Sequence, residues 1–275
     1  MLNLFFKDKF WVEKALLAGR HRTYSRRPSV LHFSFNKAAT QTVKKLLIEC
    51  ARQNKLTPAL LHDYAFHNAM PFLDHLESEE MKGYAHMFKP EGYLYTVFGG
   101  MIEGIPSLEK FKVVLVVRDP RDILVSDYYS IAYSHAIPDG EKKEIYLSRR
   151  ENALATTLDE YVLNNAPKLQ SVFERYAMHL FPVCPRVHVA RYEDMVENFP
   201  EWLDSLVSAC GMEISKPFRQ DLLEKHEARR PKGENIQKHL RKGMPGEHGE
   251  KLRSETIEQL NQTFKESLTG FNYRS

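Results

Sequence analysis

The chain has 275 residues, of which 43% are hydrophobic and 27% are charged, and its formal net charge is +3. These values are typical of soluble globular proteins and exclude the disordered, collagen-like and membrane-spanning classes. The small positive charge permits a polyanionic ligand but falls short of a dedicated nucleic-acid-binding protein, so no nucleic-acid partner is predicted.

Charges interrupt the N-terminus too often for it to contain the apolar region of a signal peptide. Residues 1–28 begin MLNLFFKDKFWVEKALLAG, and no stretch of the chain reaches the roughly 18 apolar residues that span a bilayer. We predict a helical extension that packs back onto the domain, with contact to a membrane surface as the alternative. Cys50, Cys184 and Cys210 are odd in number and widely separated, which predicts reduced core residues in a cytoplasmic protein.

Strand patterns alternate with helical patterns from residue 30 onwards. The sequence VLHFSF at 30–35 alternates polar and apolar residues, and the run VVLVV at 113–117 predicts a strand buried on both faces of a parallel sheet. The five predicted strands cover residues 30–35, 56–62, 92–98, 113–117 and 187–190.

Capping residues mark several of the helices between these strands. Asp119 predicts the N-cap of the helix after VVLVV, and Thr157 with Glu160 predicts a capping box that begins another helix. A helix over residues 203–210 is expected to stop at Gly211. The polar segment 225–251 shows no periodic pattern.

Alternation over the whole length predicts a single domain, residues 1–275, with a three-layer α/β/α architecture. The central sheet is expected to be mostly parallel and doubly wound, with no internal repeat or interdomain linker. Ligands in such folds bind at the carboxyl ends of the strands. Residues 225–251 would then form a loop that covers the ligand.

The first predicted strand, loop and helix contain a P-loop-like phosphate-binding segment, residues 36–42. Small residues let the backbone approach an anion at the helix N-terminus, where a lysine and threonine hydroxyls converge. The segment lacks the glycines and the closing Lys-Ser/Thr pair of a Walker A loop, which disfavours ATP or GTP hydrolysis. Its predicted ligand-binding residues are Lys37, Ala38, Ala39, Thr40, Gln41 and Thr42.

Two further segments offer cations to a phosphate. Arg118 ends the VVLVV strand and Ser126 lies two turns into the next helix, so a guanidinium and a hydroxyl can reach one phosphate. The alternative is an arginine that pairs with Asp119 or Asp122. Near the C-terminus, Arg241-Lys242-Gly243 places two cations in a glycine-containing loop.

These three segments occur in the order and spacing of the sulfotransferase family, which the chain resembles over nearly its full length. The loop at Lys37 resembles the family's 5′-phosphosulfate loop, residues 118–126 its 3′-phosphate motif, and residues 241–246 its RKGxxG loop. Residues 191–195 resemble its KYED segment, in which Tyr192 would lie beside adenine. The resemblance implies 3′-phosphoadenosine 5′-phosphosulfate as the donor, adenosine 3′,5′-bisphosphate as the product, and no metal.

Two departures from the family pattern bear on the site. The cytosolic branch usually has Pro-Lys-Ser-Gly-Thr-Thr-Trp where this chain has Asn-Lys-Ala-Ala-Thr-Gln-Thr, so the tryptophan that stacks on adenine is missing. The histidine base of that branch is also missing after the strand 92–98. Other branches carry a catalytic carboxylate after the second strand. The candidate bases are therefore His62, Asp63 and His67, and His86 and Glu103 are secondary candidates.

The sequence thus predicts a sulfotransferase that works by in-line displacement, with Lys37 stabilising charge on the leaving bridging oxygen. The expected acceptor is a hydroxyl or amine of a carbohydrate, a lipid or another small molecule. The alternatives are a P-loop-like small-molecule kinase and a non-catalytic protein that binds anionic glycans or membrane surfaces. A homodimer is compatible with the sequence.

Overall fold

Five strands form one parallel sheet at the centre of the protein. The structure is a computed structural model that describes residues 9–21, 23–140, 143–228 and 243–274. The strands are β1 (Val30–Ser34), β2 (Thr57–Ala59), β3 (Tyr93–Phe98), β4 (Lys112–Val117) and β5 (His188–Arg191). Their spatial order is β2-β3-β1-β4-β5, and each pairing is parallel.

The register of the sheet brings the carboxyl ends of four strands together. Ser34 of β1 pairs with Val116 of β4, and Val117 pairs with Arg191 of β5. On the other side of β1, Phe33 pairs with Phe98 of β3. The residues that directly follow β1, β3, β4 and β5 therefore lie along one edge of the sheet, where ligands bind in folds of this kind.

Thirteen α-helices in the described residues surround the sheet. They are α1 (Trp11–Leu17), α2 (Thr40–Gln53), α3 (Leu61–His67), α4 (Ser78–Met81), α5 (Pro120–Tyr129), α6 (Lys143–Leu154), α7 (Leu158–His179), α8 (Tyr192–Glu197), α9 (Phe199–Ala209), α10 (Lys216–Ala228), α11 (Glu247–Lys251), α12 (Ser254–Thr263) and α13 (Lys265–Gly270). No described helix is long and apolar enough to cross a membrane.

Helices cover both faces of the sheet. On one face α2 packs on β2 and β3, while α9 packs on β4 and β5. The Asn54 side chain after α2 bonds to the backbone of Glu213 beyond α9 (2.8 and 2.9 Å), which joins these helices. On the opposite face Phe35 stacks on Phe173 of α7, with ring centroids 4.0 Å apart. The predicted α/β/α class is confirmed, with an entirely parallel sheet.

Local signals in the sequence predict several helix ends correctly. The Asp119 side chain accepts a hydrogen bond from the backbone N–H of Arg121 (2.9 Å) and caps α5. Thr157 and Glu160 form the predicted capping box at the start of α7. Gly211 has a φ of +64°, the left-handed conformation that favours glycine after a helix. The three cysteines are buried and unbonded, as predicted.

Two predicted segments are wrong in part. The strand expected over residues 56–62 is only Thr57–Ala59, because α3 begins at Leu61 and buries Leu61, Tyr64 and Ala65 at helical spacing. The segment 225–251 is not loop throughout. Helix α10 continues through Ala228, and α11 begins at Glu247.

Candidate active site

The loop between β1 and α2 has the backbone shape of an anion-binding turn. Lys37 and Ala39 have φ values of +65° and +55°, and Ala39 directly precedes the first turn of α2, Thr40 to Thr42. The Thr40 hydroxyl donates to the Phe35 carbonyl (3.0 Å) and holds the turn closed. The Thr42 N–H bonds to the Ala39 carbonyl (2.8 Å), so the N–H groups of Thr40 and Gln41 are the ones available to an anion in the cleft that these residues line. The Ala38 side chain is fully buried, so a larger residue would displace the loop.

A carboxylate and a phenol orient the Lys37 side chain. Its ammonium lies 3.8 Å from Asp127 of α5, and Asp127 accepts a hydrogen bond from the Tyr161 hydroxyl (2.8 Å). Lys37 lies beside a cleft of about 670 Å³. The cleft is lined by Asn36, Lys37, Ala39, Thr40, Gln41, Thr42, Asp127, Ile131, His135, Ile137, Tyr146, Arg149 and Arg150.

Arg118 links three parts of the site. Its Nη1 donates a hydrogen bond of 3.0 Å to the Lys37 carbonyl, and its guanidinium carbon lies 4.4 Å from the centroid of the Tyr192 ring. The residue is 4% exposed, and among the described residues nothing accepts a hydrogen bond from its Nε. A buried guanidinium with an unused donor suits a phosphate oxygen.

The carboxylates near Arg118 are further away than in a tight ion pair. Its Nη2 lies 3.9 Å from Asp122 and 4.0 Å from Glu247. Of the two alternative pairings predicted for Arg118, the one with Asp122 is present at this distance. The one with Asp119 is not, because Asp119 holds Arg121 instead (2.6 Å). Neither carboxylate accepts a hydrogen bond from Nε of Arg118.

Asp122 attaches the C-terminal segment to α5. It is fully buried, accepts hydrogen bonds from the backbone N–H groups of Gly246 (2.7 Å) and His248 (2.9 Å), and lies 2.7 Å from His248 Nδ1. Burial raises the pKa of Asp122, but the hydrogen bond from His248 and the charge of Arg118 outweigh burial and lower it. Ser126 is half-buried one turn further along α5, on the same helix face.

The predicted C-terminal phosphate loop is described only in part. Arg241 and Lys242 lie outside the described residues. Gly243 is described, and its carbonyl accepts a hydrogen bond from the Tyr192 hydroxyl. Gly243 therefore lies beside Tyr192, whose ring contacts Arg118. Sequence reasoning missed the role of Asp122, whose only local signal is its place four residues after Arg118.

Tyr192 borders a second, more apolar cavity of about 370 Å³ next to the anion loop. The ring of His226 stacks on Phe199 at its wall, with centroids 3.6 Å apart and planes 6° apart. The cavity is lined by Ala39, Thr42, Leu46, Glu49, Tyr192, Met195, Val196, Phe199, Leu222, Lys225, His226, Gly243 and Met244. A flat apolar slot of this kind suits an aromatic base. Sequence reasoning missed the stacked pair, because His226 falls in the segment 225–251, which was expected to be a loop.

The three candidate bases of α3 have different surroundings. Asp63 holds the Lys44 ammonium with both oxygens (2.6 and 2.7 Å). His67 is exposed and its ring lies near Phe10, with centroids 5.9 Å apart. His62 Nδ1 lies 3.8 Å from a carboxylate oxygen of the buried Asp74. Of the three, His62 is the one whose ring nitrogen lies near a buried carboxylate.

The two secondary candidates are engaged elsewhere. His86 Nε2 lies 3.0 Å from the Leu17 carbonyl, at the end of α1. Glu103 accepts hydrogen bonds from Arg175 (2.8 and 3.2 Å). Burial raises the pKa of Glu103, but the hydrogen bond from Arg175 outweighs burial, so the pKa is lowered. A carboxylate with a lowered pKa is a weak base.

Metal ligands are absent from the part of the chain that the structure describes. No three histidine, cysteine, aspartate or glutamate side chains come together there in a group that could hold a metal ion. The residues at the sheet edge are instead cations, hydroxyls and backbone N–H groups, which suit an anion.

Comparisons with known proteins point to one family. A family model described as the sulfotransferase domain matches residues 27–272. A search of curated protein sequences found no match. Sulfotransferase STF9 from Mycobacterium avium superposes with a TM-score of 0.52 at 11% identity, covering 95% of this chain and 80% of that one. Retinol dehydratase in complex with retinol and PAP gives 0.50 at 16% identity, with 96% and 87% covered. At these identities the two structures show a similar fold.

Proposed function

Since the chain belongs to the sulfotransferase domain family, we propose that it uses 3′-phosphoadenosine 5′-phosphosulfate as its donor. The sulfuryl group passes to a hydroxyl or amine of an acceptor, and adenosine 3′,5′-bisphosphate is released. Retinol dehydratase, which has a similar fold, was crystallised with PAP.

The observation that carries this proposal is the buried guanidinium of Arg118. It joins the loop at Lys37 to the Tyr192 ring and keeps an unused donor at Nε. A phosphate beside it would take that donor, and Ser126 lies on the neighbouring face of α5. The 3′-phosphate of the nucleotide is the group that would occupy this position, and Arg241 and Lys242 are proposed to complete its binding site.

The rest of the nucleotide fits the two cavities. The N–H groups at the start of α2, with Thr40 and Thr42, would hold the 5′-phosphate. The cavity at Tyr192 would hold the adenine, with the stacked Phe199 and His226 forming its apolar wall. These two rings would contact the base in place of the tryptophan that this chain lacks in the loop. Residues 225–251 are proposed to cover the nucleotide.

The bound donor supplies a sulfuryl group whose in-line transfer builds charge on the bridging oxygen. Lys37 is proposed to stabilise that charge, because its ammonium is held at the loop by Asp127 and faces the larger cleft. Thr40 and the neighbouring backbone N–H groups keep the 5′-phosphate in place during the transfer. The acceptor is proposed to lie in the same cleft. His62, which is not among the residues that line this cleft but lies beside Asp74 near the loop, is proposed to take its proton.

The experiment that tests the proposal compares nucleotides and then follows the transferred group. Titration calorimetry on the full chain is expected to show tighter binding of adenosine 3′,5′-bisphosphate than of ADP, by about tenfold or more. Donor labelled with ³⁵S is then offered with carbohydrate, lipid and phenolic acceptors. Transfer to one class identifies the acceptor.

The alternatives predict other results. Preference for ADP, with transfer of ³²P from labelled ATP, would overturn the proposal in favour of a small-molecule kinase. Binding to anionic glycans or vesicles that salt abolishes, with no nucleotide binding, would favour a non-catalytic binding protein.

The acceptor is proposed to be a small molecule, a glycan or a lipid. A cytoplasmic location is proposed from the three buried, unbonded thiols. The homodimer stays a prediction.

A further inference from the structure

Two buried atoms face each other beside the proposed active site. Asp74 lies in a short 3₁₀ turn, Leu73–His75, and is 4% exposed. Its Oδ1 lies 3.8 Å from Nδ1 of His62. Within the described parts of the chain neither atom has a hydrogen-bond partner. A carboxylate oxygen and a ring nitrogen that are otherwise unused are complementary, because the nitrogen can donate its proton to the oxygen.

The surrounding protein fixes both side chains. The other Asp74 oxygen, Oδ2, accepts a hydrogen bond from the backbone N–H of Gly100 (2.9 Å). The Asp74 carbonyl accepts one from Arg175 of α7 (3.2 Å). The His62 ring packs against Phe72, with centroids 4.6 Å apart. The pair is therefore positioned by β3, α3 and α7 together, as a preorganised group requires.

The pair adjoins the anion loop. A β-carbon built on Gly99 would lie 3.6 Å from Asp74 Oδ2 and 3.7 Å from the side-chain oxygen of Asn36. Asn36 belongs to the loop and lines the larger cleft. Gly99 thus lies between the Asp74 side chain and the Asn36 side chain of the loop. The His62 side chain is 36% exposed, so part of its ring is open to solvent.

We propose that Asp74 is a positioning residue that holds the proton on Nδ1 of His62 and leaves Nε2 free to act as the general base. This inference rests on the proposed sulfuryl transfer. In the step, the acceptor O–H or N–H proton moves to Nε2 while the acceptor atom attacks sulfur. The bond between sulfur and the bridging oxygen breaks, and its electron pair stays on the phosphate. The imidazolium later releases its proton to water.

The charges that face His62 set the direction of its pKa. Burial lowers the pKa of His62, Asp74 and Asp63 raise it, and His75 and Lys44 lower it further. Removal of the Asp74 charge would therefore move the pKa of His62 downward. The acid limb of the rate profile, which reports protonation of a base, would move the same way.

The first test measures the tautomer of His62 in the unaltered protein. In ¹⁵N-histidine NMR of the full chain, the neutral form of His62 is expected to carry its proton on Nδ1. The His62 signal is assigned by its loss in His62→Gln. A proton on Nε2 in the unaltered protein would overturn the proposal. This readout does not depend on donor or acceptor, so it is separable from failure of the proposed function, which nucleotide binding reports.

The second test uses Asp74→Asn, in which the amide can still accept the Gly100 N–H bond. We expect the proton of neutral His62 to move to Nε2 and the pH midpoint of the His62 titration to fall. The value of kcat should fall about 10²-fold, while nucleotide affinity stays unchanged within about twofold. Asp204→Asn, at an exposed ion pair with Arg219, is the matched control. Unchanged tautomer and midpoint in Asp74→Asn would contradict the proposal, as would equal loss in kcat and nucleotide affinity.

Discussion

The carbonyl oxygen of Lys37 accepts a hydrogen bond of 3.0 Å from the Arg118 guanidinium, so the cation after β4 is attached to the loop after β1. Arg118→Ala removes this bond together with the proposed 3′-phosphate contact. Charge-assisted hydrogen bonds of this kind contribute about 1.5–3 kcal/mol. The affinity for adenosine 3′,5′-bisphosphate should therefore fall about 100-fold in calorimetry.

The comparison ligand for Arg118→Ala is 5′-AMP, which lacks the 3′-phosphate. Its affinity should fall much less than that of the bisphosphate. The matched control is Arg219→Ala, because Arg219 is paired with Asp204 on the exposed surface. Equal losses for both nucleotides would contradict a role in 3′-phosphate binding and would indicate damage to the loop alone.

Lys37→Ala should separate catalysis from binding. Removal of one group that stabilises developing charge costs about 10²–10³ in kcat. The affinity for adenosine 3′,5′-bisphosphate should change by less than about fivefold, because the bisphosphate lacks the transferred group. Single-turnover transfer of labelled sulfate measures the rate. Lys45→Ala, an exposed lysine on α2, is the control. A loss of affinity as large as the loss of rate would show that Lys37 serves binding only.

The lowered pKa of Asp122 predicts that stability is lost in acid. Burial raises the pKa of Asp122, but the hydrogen bond from His248 and the charge of Arg118 lower it overall. A carboxyl group whose pKa falls on folding stabilises the protein above the pKa of the unfolded chain, near pH 4. That contribution disappears as the pH falls through the lowered value.

Asp122→Asn tests this contribution by urea unfolding at several pH values. At pH 7 the variant should be less stable by about 2 kcal/mol, because buried hydrogen bonds to a charged acceptor are weakened. The difference should shrink as the pH falls below about 4, the pKa of the unfolded chain, and then through the lowered pKa of Asp122 in the folded protein. Asp204→Asn serves as the exposed comparison, and a surface pair of this kind contributes at most about 1 kcal/mol. A difference that stays constant with pH would refute the assignment.

Thiol reactivity checks the packing of the core. Cys50, Cys184 and Cys210 are buried, and burial raises the pKa of Cys50 to about 12 and also raises the pKa values of the other two thiols. Because the thiolate is the reactive form, no thiol of the native protein should react rapidly with a chromogenic aromatic disulfide at pH 8. In urea all three should react. One fast thiol in the native state would show that its helix packs differently.

Much of the fold could be predicted from local patterns. The buried run in β4 and the caps at Asp119 and Thr157 are short-range signals, since strand burial and helix termini depend on adjacent residues. The boundary between β2 and α3 could not be predicted. Apolar residues at 56, 59 and 61 fit a strand and a helix equally well in a short window.

The residues of the candidate site that come soon after a strand could be predicted from the sequence. The contacts between side chains on separate helices and loops could not. Lys37 and Arg118 directly follow strands, so a parallel sheet brings them together. The contacts of Asp122 with His248 and of Asp74 with His62 join residues that are 126 and 12 positions apart. No periodicity encodes such pairs, because they depend on how loops and helices pack after the sheet has formed.

The loop at Lys37 also has a consequence for protein engineering. Lys37 and Ala39 both adopt left-handed backbone conformations, in which a side chain costs about 1 kcal/mol or more relative to glycine. A glycine at position 39 would relieve that strain and raise thermal stability, but it would also widen the range of shapes that the turn can adopt. The chain thus exchanges some stability for rigidity at this turn, and a variant selected only for heat tolerance would lose activity here first.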